Sequence, residues 1–475
     1  MAVHASAAAF PVVQPASHTV GATHRVRGLH CTDHHFLVPL DHWASASAAQ
    51  TISVYAREVT APDKADSKSL GDAPCLFYLQ GGPGFESPRP SEAGGWIAKA
   101  IELGFRVLLI DQRGTGRSSR ISARALTTQF SSATEAADFC SHFRADSIVA
   151  DCEAIRHALG VKSWTGLGQS FGGFCLCTYL SFAPAALKEA LLTGGLAPVM
   201  AGKCTEAVDE VYTRLFARVI TQTGKFYARF PADQQLVRDI VVYLAEQPGG
   251  GVDLPSGGRL TPQMLQLLGW SFGGASGFET VHYLLESAWE SDLRGSHAPK
   301  ALSLSFLRGF ENSLAFDTNP LYALLHEACY GNGGATDWSA QRVRDSPQFS
   351  AALDPVAAAR AGKPVPFTGE MVFPFMFDDI VSLRGVKDVA NELARRNWRP
   401  LYDVKALSLN KVPVAATAYW EDMYVDFHLA SATASAITGA RMWVTNEYTH
   451  SGVREDGPRV LKTLLSMARG EEPLR

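Results

Sequence analysis

The segment Gly168-Gln169-Ser170-Phe171-Gly172-Gly173 sets a serine between glycines two residues before it and two after it. That spacing suits a sharp strand-to-helix turn. The glycines let neighbouring backbone crowd in, and the serine Oγ projects from the end of a sheet. Amides at the start of the following helix would face charge developing on a substrate oxygen. The chemistry is acyl transfer by a serine nucleophile, which needs a base and a carboxylate to hold that base in the right tautomer. The pattern alone is weak, because Gly269-Trp270-Ser271-Phe272-Gly273-Gly274 matches it equally well. Context separates the two. Ser170 follows the apolar run WTGL (164–167) and precedes the apolar helix-like segment FCLCTYLSF. Ser271 follows LTPQMLQLLGW, where Met264, Leu265, Leu267 and Leu268 read as helix, and precedes GGASG, which starts none. Ser170 is the expected nucleophile and Ser271 a loop serine.

The base and its carboxylate are sought in the order Ser, then Asp or Glu, then His. Of 14 histidines, His450 stands out by position: it follows the strand-like ARMWVT (440–445) within the turn NEYTHSG. Asp422 follows VPVAATAYW (412–420) in the same way. All three residues fall at carboxyl ends of predicted strands, where open α/β sheets gather their sites. Asp422 is preferred, but Glu421 and Asp426 are close rivals, and Glu447 lies near His450. Gln80-Gly81-Gly82-Pro83-Gly84 closes another apolar strand, CLFYL (75–79). An amide of this loop can pair with that of Phe171 to bind an oxyanion.

The elements that must position these residues alternate. TISVYAREV (51–59), CLFYL, FRVLLI (105–110), WTGL and ALLTGGLAP (190–198) read as strands, and HFLVPLDH (35–42) as a first one. Ile148, Cys152, Ile155 and Leu159 recur at helical spacing between two of them. Strands alternating with helices imply parallel βαβ units. From about residue 200 the pattern becomes helical, with Val208, Val211, Leu215 and Val219 on one stripe and Leu236, Ile240 and Leu244 on another. Strands return with residues 412–420 and 440–445. The expected organisation is a loose leader at 1–25, an α/β catalytic unit from 26–199 and 401–475, and a helical cap at 200–400.

Composition narrows the function. The 475 residues carry 43 Lys plus Arg against 47 Asp plus Glu, a net charge of −4. No basic excess exists to neutralise a phosphate backbone, so nucleic acid is not expected as a partner. No apolar run approaches the length of a membrane helix, so no membrane partner is expected. The N-terminus lacks a basic n-region and has Pro11 and Pro15 in its apolar part, a poor signal peptide. Eight dispersed cysteines form no CxxC pair or zinc spacing, which favours a reducing, cytoplasmic setting.

Taken together, QGGPGFESPRP, DQRGTGRSS, GQSFGGF, YWEDMYVD and NEYTHSG resemble the proline iminopeptidases, serine peptidases of the α/β-hydrolase superfamily, in their longer bacterial form. The resemblance spans roughly residues 35–470. The family usually has His before GGPG, where this chain has Gln80. The resemblance implies an α/β-hydrolase fold with a large helical cap. It also implies release of N-terminal proline from peptides, and no metal or organic cofactor. It carries the nucleophile, acid and base onto Ser170, Asp422 and His450, and the oxyanion donors onto Gly82 and Phe171. The Asp422-Met423 pair resembles the family's Asp segment and favours Asp422 over Glu421.

An exopeptidase must recognise a protonated N-terminus, best held by carboxylates in a partly buried pocket with apolar walls for the ring. The cap region offers Glu279, Glu286, Glu311, Glu327 and Glu370. Glu370, in the aromatic PFTGEMVFPFMF, and Glu327, beside Leu324, Leu325 and Tyr330, are the expected substrate-binding pair. Arg89 and Arg117 are expected to brace loops. An esterase, arylamidase or broader aminopeptidase on the same fold is the first alternative, and a non-catalytic ligand-binding homologue the second.

Overall fold

The computed structural model describes residues 10–44, 50–64, 73–199, 204–293 and 301–471. Strands β1 (Ser17–Val26), β2 (Leu29–Pro39), β3 (Thr51–Thr60), β4 (Cys75–Leu79), β5 (Arg106–Asp111), β6 (Trp164–Gln169) and β7 (Leu187–Thr193) precede a long helical stretch. A two-residue hairpin, β8 (Val252–Asp253) with β9 (Arg259–Leu260), lies inside that stretch, and β10 (Val414–Tyr419) and β11 (Ala440–Thr445) follow it. Among the described residues the main sheet has nine strands in the order β1-β2-β3-β5-β4-β6-β7-β10-β11. β1, β2 and β3 pair antiparallel, β3 pairs antiparallel with β5, and the strands from β5 to β11 are mutually parallel.

Strands β4, β5, β6 and β10 are buried at every residue. That is the signature of a parallel sheet covered on both faces, and it explains why these segments are apolar without alternation. The two faces separate by the two-residue period of the strand. Leu76 and Tyr78 of β4, with Val107 and Leu109 of β5, pack with Trp96, Ile97, Leu461 and Leu464 from helices Gly95–Glu102 and Gly457–Arg469. Phe77, Leu79, Leu108 and Ile110 point the other way, into the core shared with helices Ala145–Ala158 and Phe171–Phe182. This is the α/β-hydrolase architecture: a mostly parallel sheet flanked by helices, with the strands' carboxyl ends at one edge.

The expected loose leader is corrected in part. Residues 17–26 form β1, paired with β2 around a turn in which Gly28 takes a positive φ of 77°. Its residues are half-buried or exposed along both faces, so SHTVGATHRV shows no apolar alternation to reveal a strand. Phe10 also docks, stacking on Phe182 with ring centroids 5.8 Å apart. Residues 1–9 of that leader, and 65–72 of the polar loop before β4, lie outside the described residues. The first predicted strand, 35–42, is the end of the longer β2.

Between β7 and β10 the described residues form helices, short 3-10 turns and the β8–β9 hairpin, opening with the 26-residue helix Cys204–Arg229 and closing with Val404–Ser408. The hydrophobic stripe Val208, Val211, Leu215, Val219 is buried, as an amphipathic helix requires. Among the described residues no helix is long and apolar enough to cross a membrane.

Candidate active site

Ser170 stands between the end of β6 and the helix Phe171–Phe182, with φ 53° and ψ −121°. A non-glycine residue held at positive φ stores strain and persists only where its surroundings over-determine it. Here the surroundings are backbone. A Cβ on Gly172 would overlap the Leu79 carbonyl, one on Gly168 would overlap Gly172, and one on Gly195 would overlap the Ser170 carbonyl. The Ser170 amide donates to the Thr193 carbonyl at 2.9 Å, which ties the turn to β7. The loop after β4 packs directly on the serine: a Cβ at Gly81 would sit 3.0 Å from that of Ser170. Gly82 takes φ +132°, and a Cβ there would press on Phe85. Phe171 opens its helix, so its amide is among the first-turn donors without an intrahelical acceptor.

The loop carrying DQRGTGRSS braces this floor. Asp111 is fully buried and accepts from the amides of Ser87 at 3.1 Å and Arg117 at 2.8 Å, while Arg89 pairs with both its oxygens. The Arg117 side chain pairs with Asp33. Both arginines thus hold loops together. Gln80 accepts from the Tyr78 hydroxyl at 2.6 Å through its side chain, and from Gln112 at 3.0 Å through its carbonyl.

His450 follows β11 and Asp422 follows β10, and their side chains meet: Nδ1 to Oδ2 is 2.7 Å. The other Asp422 oxygen accepts from the amides of Tyr424 at 2.8 Å and Val425 at 3.0 Å. This leaves Nε2 as the ring nitrogen available to Ser170 or a substrate. The rivals are engaged elsewhere. Glu421 pairs with Lys225, Asp426 caps the helix Phe427–Ala436 through the Leu429 amide, and Glu447 pairs with Arg459 at the surface. Burial pushes the His450 imidazole down, but Asp422 and, farther off, Glu370 outweigh it, so its pKa lies above the ordinary value.

Ser170 and His450 open into one cavity of about 510 Å³. Its walls are aromatic and come from the insertion and from the turn after Asp422: Trp270, Phe316, Tyr322 and Tyr424. Trp270 and Tyr322 meet edge to face at 5.0 Å, and Tyr424 meets the His450 ring at 4.8 Å. Thr449 donates to the Gly273 carbonyl at 2.8 Å and the Tyr424 hydroxyl bonds the Trp270 carbonyl. The His450 loop is thereby tied to the helical insertion as well as to the sheet.

Glu370 is the one carboxylate among the described residues lining this cavity. It accepts from the Tyr322 hydroxyl, and His326 Nε2 lies 3.7 Å from its second oxygen. Burial would raise its carboxyl, but His326, then His450 and Tyr322, outweigh burial and hold it below the usual carboxylate range.

Glu327 does not join it. Its oxygens accept from the amides of Ser339 at 2.9 Å and Ala340 at 3.2 Å, capping the helix Ser339–Arg344 away from the cavity. Burial pushes its carboxyl above the ordinary range. The correction has a simple geometric cause. Tyr322 and His326 are four residues apart and share the face turned to Glu370, whereas the residue after His326 points elsewhere. That spacing in PLYALLHEACY was the missed signal. Of the remaining candidates, Glu279 pairs with Arg229, Glu286 lies 3.4 Å from His282, and Glu311 accepts from the Ser256 amide. Ser271 sits in the 3-10 turn Leu267–Gly273 without positive φ, on the cavity wall. Trp270, Phe316, Tyr424 and Arg454, which also line the cavity, had no signal in spacing.

Residues 74–226 match the family model for the alpha/beta hydrolase fold. The chain is 43 % identical over 444 residues to the proline iminopeptidase of Aeromonas sobria, covering 93 % of this chain and 97 % of that one. This chain belongs to the proline iminopeptidase family. It is a hydrolase. A proline iminopeptidase of Aspergillus aculeatus is 34 % identical over 440 residues, covering 91 % of this chain and 92 % of its own. Among solved structures, the proline iminopeptidase of Mycobacterium smegmatis is 14 % identical with a TM-score of 0.40, covering 89 % of this chain and 97 % of that one.

Proposed function

We propose that this chain releases N-terminal proline from peptides through a prolyl-enzyme intermediate. His450 takes the Ser170 proton as Oγ attacks the prolyl carbonyl. The amides of Gly82 and Phe171 receive the oxyanion. Asp422 holds the imidazole with Nδ1 protonated and stabilises its charged form. His450 then gives its proton to the leaving amine, and water repeats the sequence on the acyl-enzyme. Residues 200–400 act as a specificity cap over this machinery. A cytoplasmic setting belongs to the same reading, supported by Cys31, Cys75, Cys140, Cys152, Cys175, Cys177 and Cys329, each free and buried.

The observation that carries the proposal is the position of Glu370. One buried carboxylate, kept ionised and walled by Trp270, Phe316 and Tyr322, opens into the cavity that Ser170 and His450 share. That is a seat for a small apolar ring bearing a protonated nitrogen. An esterase pocket would have no use for it. The test is steady-state hydrolysis of aminoacyl-arylamides, each free and N-acetylated. Strong preference for free proline, lost on acetylation, is expected. Equal turnover of free and blocked substrates would leave a general amidase or esterase.

A further inference from the structure

The described residues lining the cavity include one carboxylate, Glu370, and one permanent cation, Arg454. The two differ in setting. Glu370 is buried and engaged by Tyr322 and His326. Arg454 is exposed, on the short helix Gly452–Glu455 that starts two residues after His450. No carboxylate lies within ion-pairing distance of its guanidinium among the described residues, and its charge is felt at His450 and beside the Tyr78 hydroxyl. The neighbouring Glu455 is not part of the cavity wall.

The order of chemistry assigns the two ends. In the proposed reaction the leaving amine receives its proton from His450, so the leaving residue lies against the imidazole, and Arg454, four residues farther along the chain, lines the same cavity. If Glu370 holds the prolyl nitrogen, the chain of a substrate runs from the buried carboxylate, past Ser170 and His450, toward the exposed cation. A dipeptide carries its own carboxylate one residue beyond the scissile bond, within about 3.5 Å of chain. We infer that Arg454 binds the C-terminal carboxylate of the leaving residue, so that the preferred substrates are Pro-Xaa dipeptides with a free carboxyl group. This inference rests on the prolyl aminopeptidase reading above. A cation and a carboxylate lining one cavity would also fix the direction in which a substrate enters.

The test compares kcat/KM for Pro-Ala, Pro-Ala amide and proline arylamide, in the wild type and in Arg454→Gln, Arg454→Lys and Arg454→Glu. The readout is the acid-to-amide ratio within each protein. Any change in His450 basicity acts on both substrates and cancels in that ratio. The wild type is expected to favour the acid by at least about fivefold, a partly exposed charged contact. The ratio should fall to near one in Arg454→Gln, stay above one in Arg454→Lys, and drop below one in Arg454→Glu. A flat ratio in a wild type that hydrolyses the arylamide overturns the role of Arg454 alone, as does a preference that survives in Arg454→Gln. A wild type inactive on all three substrates overturns the aminopeptidase reading and this inference with it.

Discussion

Two stretches of this chain carry the same six-residue pattern and line one cavity. At Gly168–Gly173 the glycines sit where backbone carbonyls leave no room for a Cβ, and Ser170 is forced to positive φ between a buried strand and a buried helix. At Gly269–Gly274, Gly269 and Gly273 are crowded too, by Phe367, Thr368 and the Tyr424 ring, while Gly274 is not, and the backbone continues a 3-10 turn with Ser271 unstrained. Crowding at glycine is therefore not what makes a nucleophile. The difference is the strand that ends at Gln169, the helix that starts at Phe171, and an imidazole delivered by the neighbouring end of the sheet.

The sharpest way to break this comparison is substitution of the serines. Ser170→Ala should cost about 10⁵-fold or more in kcat on proline arylamide, while Ser271→Ala should cost less than about tenfold. Comparable losses would erase the distinction. Asp422→Asn should cost about 10⁴-fold in kcat, because the imidazole would then take the wrong tautomer. Glu421→Gln serves as its control and should retain most activity. A second contrast lies between two buried glutamates. Glu370→Gln should lower kcat/KM for free proline substrates roughly 10²-fold and shrink the advantage over acetylated ones, as expected when a buried charge partner is removed. Glu327→Gln should instead lower stability by about 1–2 kcal/mol, as loss of a helix cap does, with little change in that preference. Denaturant unfolding beside kinetics separates the two.

The smallest effect concerns pH. In the proposed mechanism His450 must be neutral to take the serine proton, and its pKa is raised. Activity should therefore already fall as pH drops through a value above about 6.5, the ordinary imidazole value. Glu370→Gln removes a negative charge that favours the imidazolium, so the acidic limb of kcat/KM should move to lower pH. A limb that stays put would mean that the two groups do not communicate.

What the sequence disclosed follows from how local each signal is. β4, β5, β6 and β10 are buried on both faces, so each reads as an unbroken apolar run. β1 lies at the sheet edge with polar residues on both faces, and its pairing to β2 is visible only in three dimensions. Ser170, Asp422 and His450 can be proposed from the sequence because each follows a strand and their chain order is restrictive. The aromatic wall cannot, since Trp270, Phe316 and Tyr322 come from separate segments whose meeting with Glu370 depends on packing of the insertion, whereas Glu370 itself stands out by its aromatic context. Glu327 was misread because apolar neighbours in sequence said that it was buried, not which way it faced.

The most direct measurement is mass-spectrometric mapping of the residue modified by a serine-reactive fluorophosphonate in the wild-type protein, with loss of arylamide hydrolysis followed in parallel. The elbow at β6 predicts one adduct, on Ser170, formed in step with loss of activity. An adduct on Ser271 that tracks inactivation, or full activity with Ser170 modified, would contradict it.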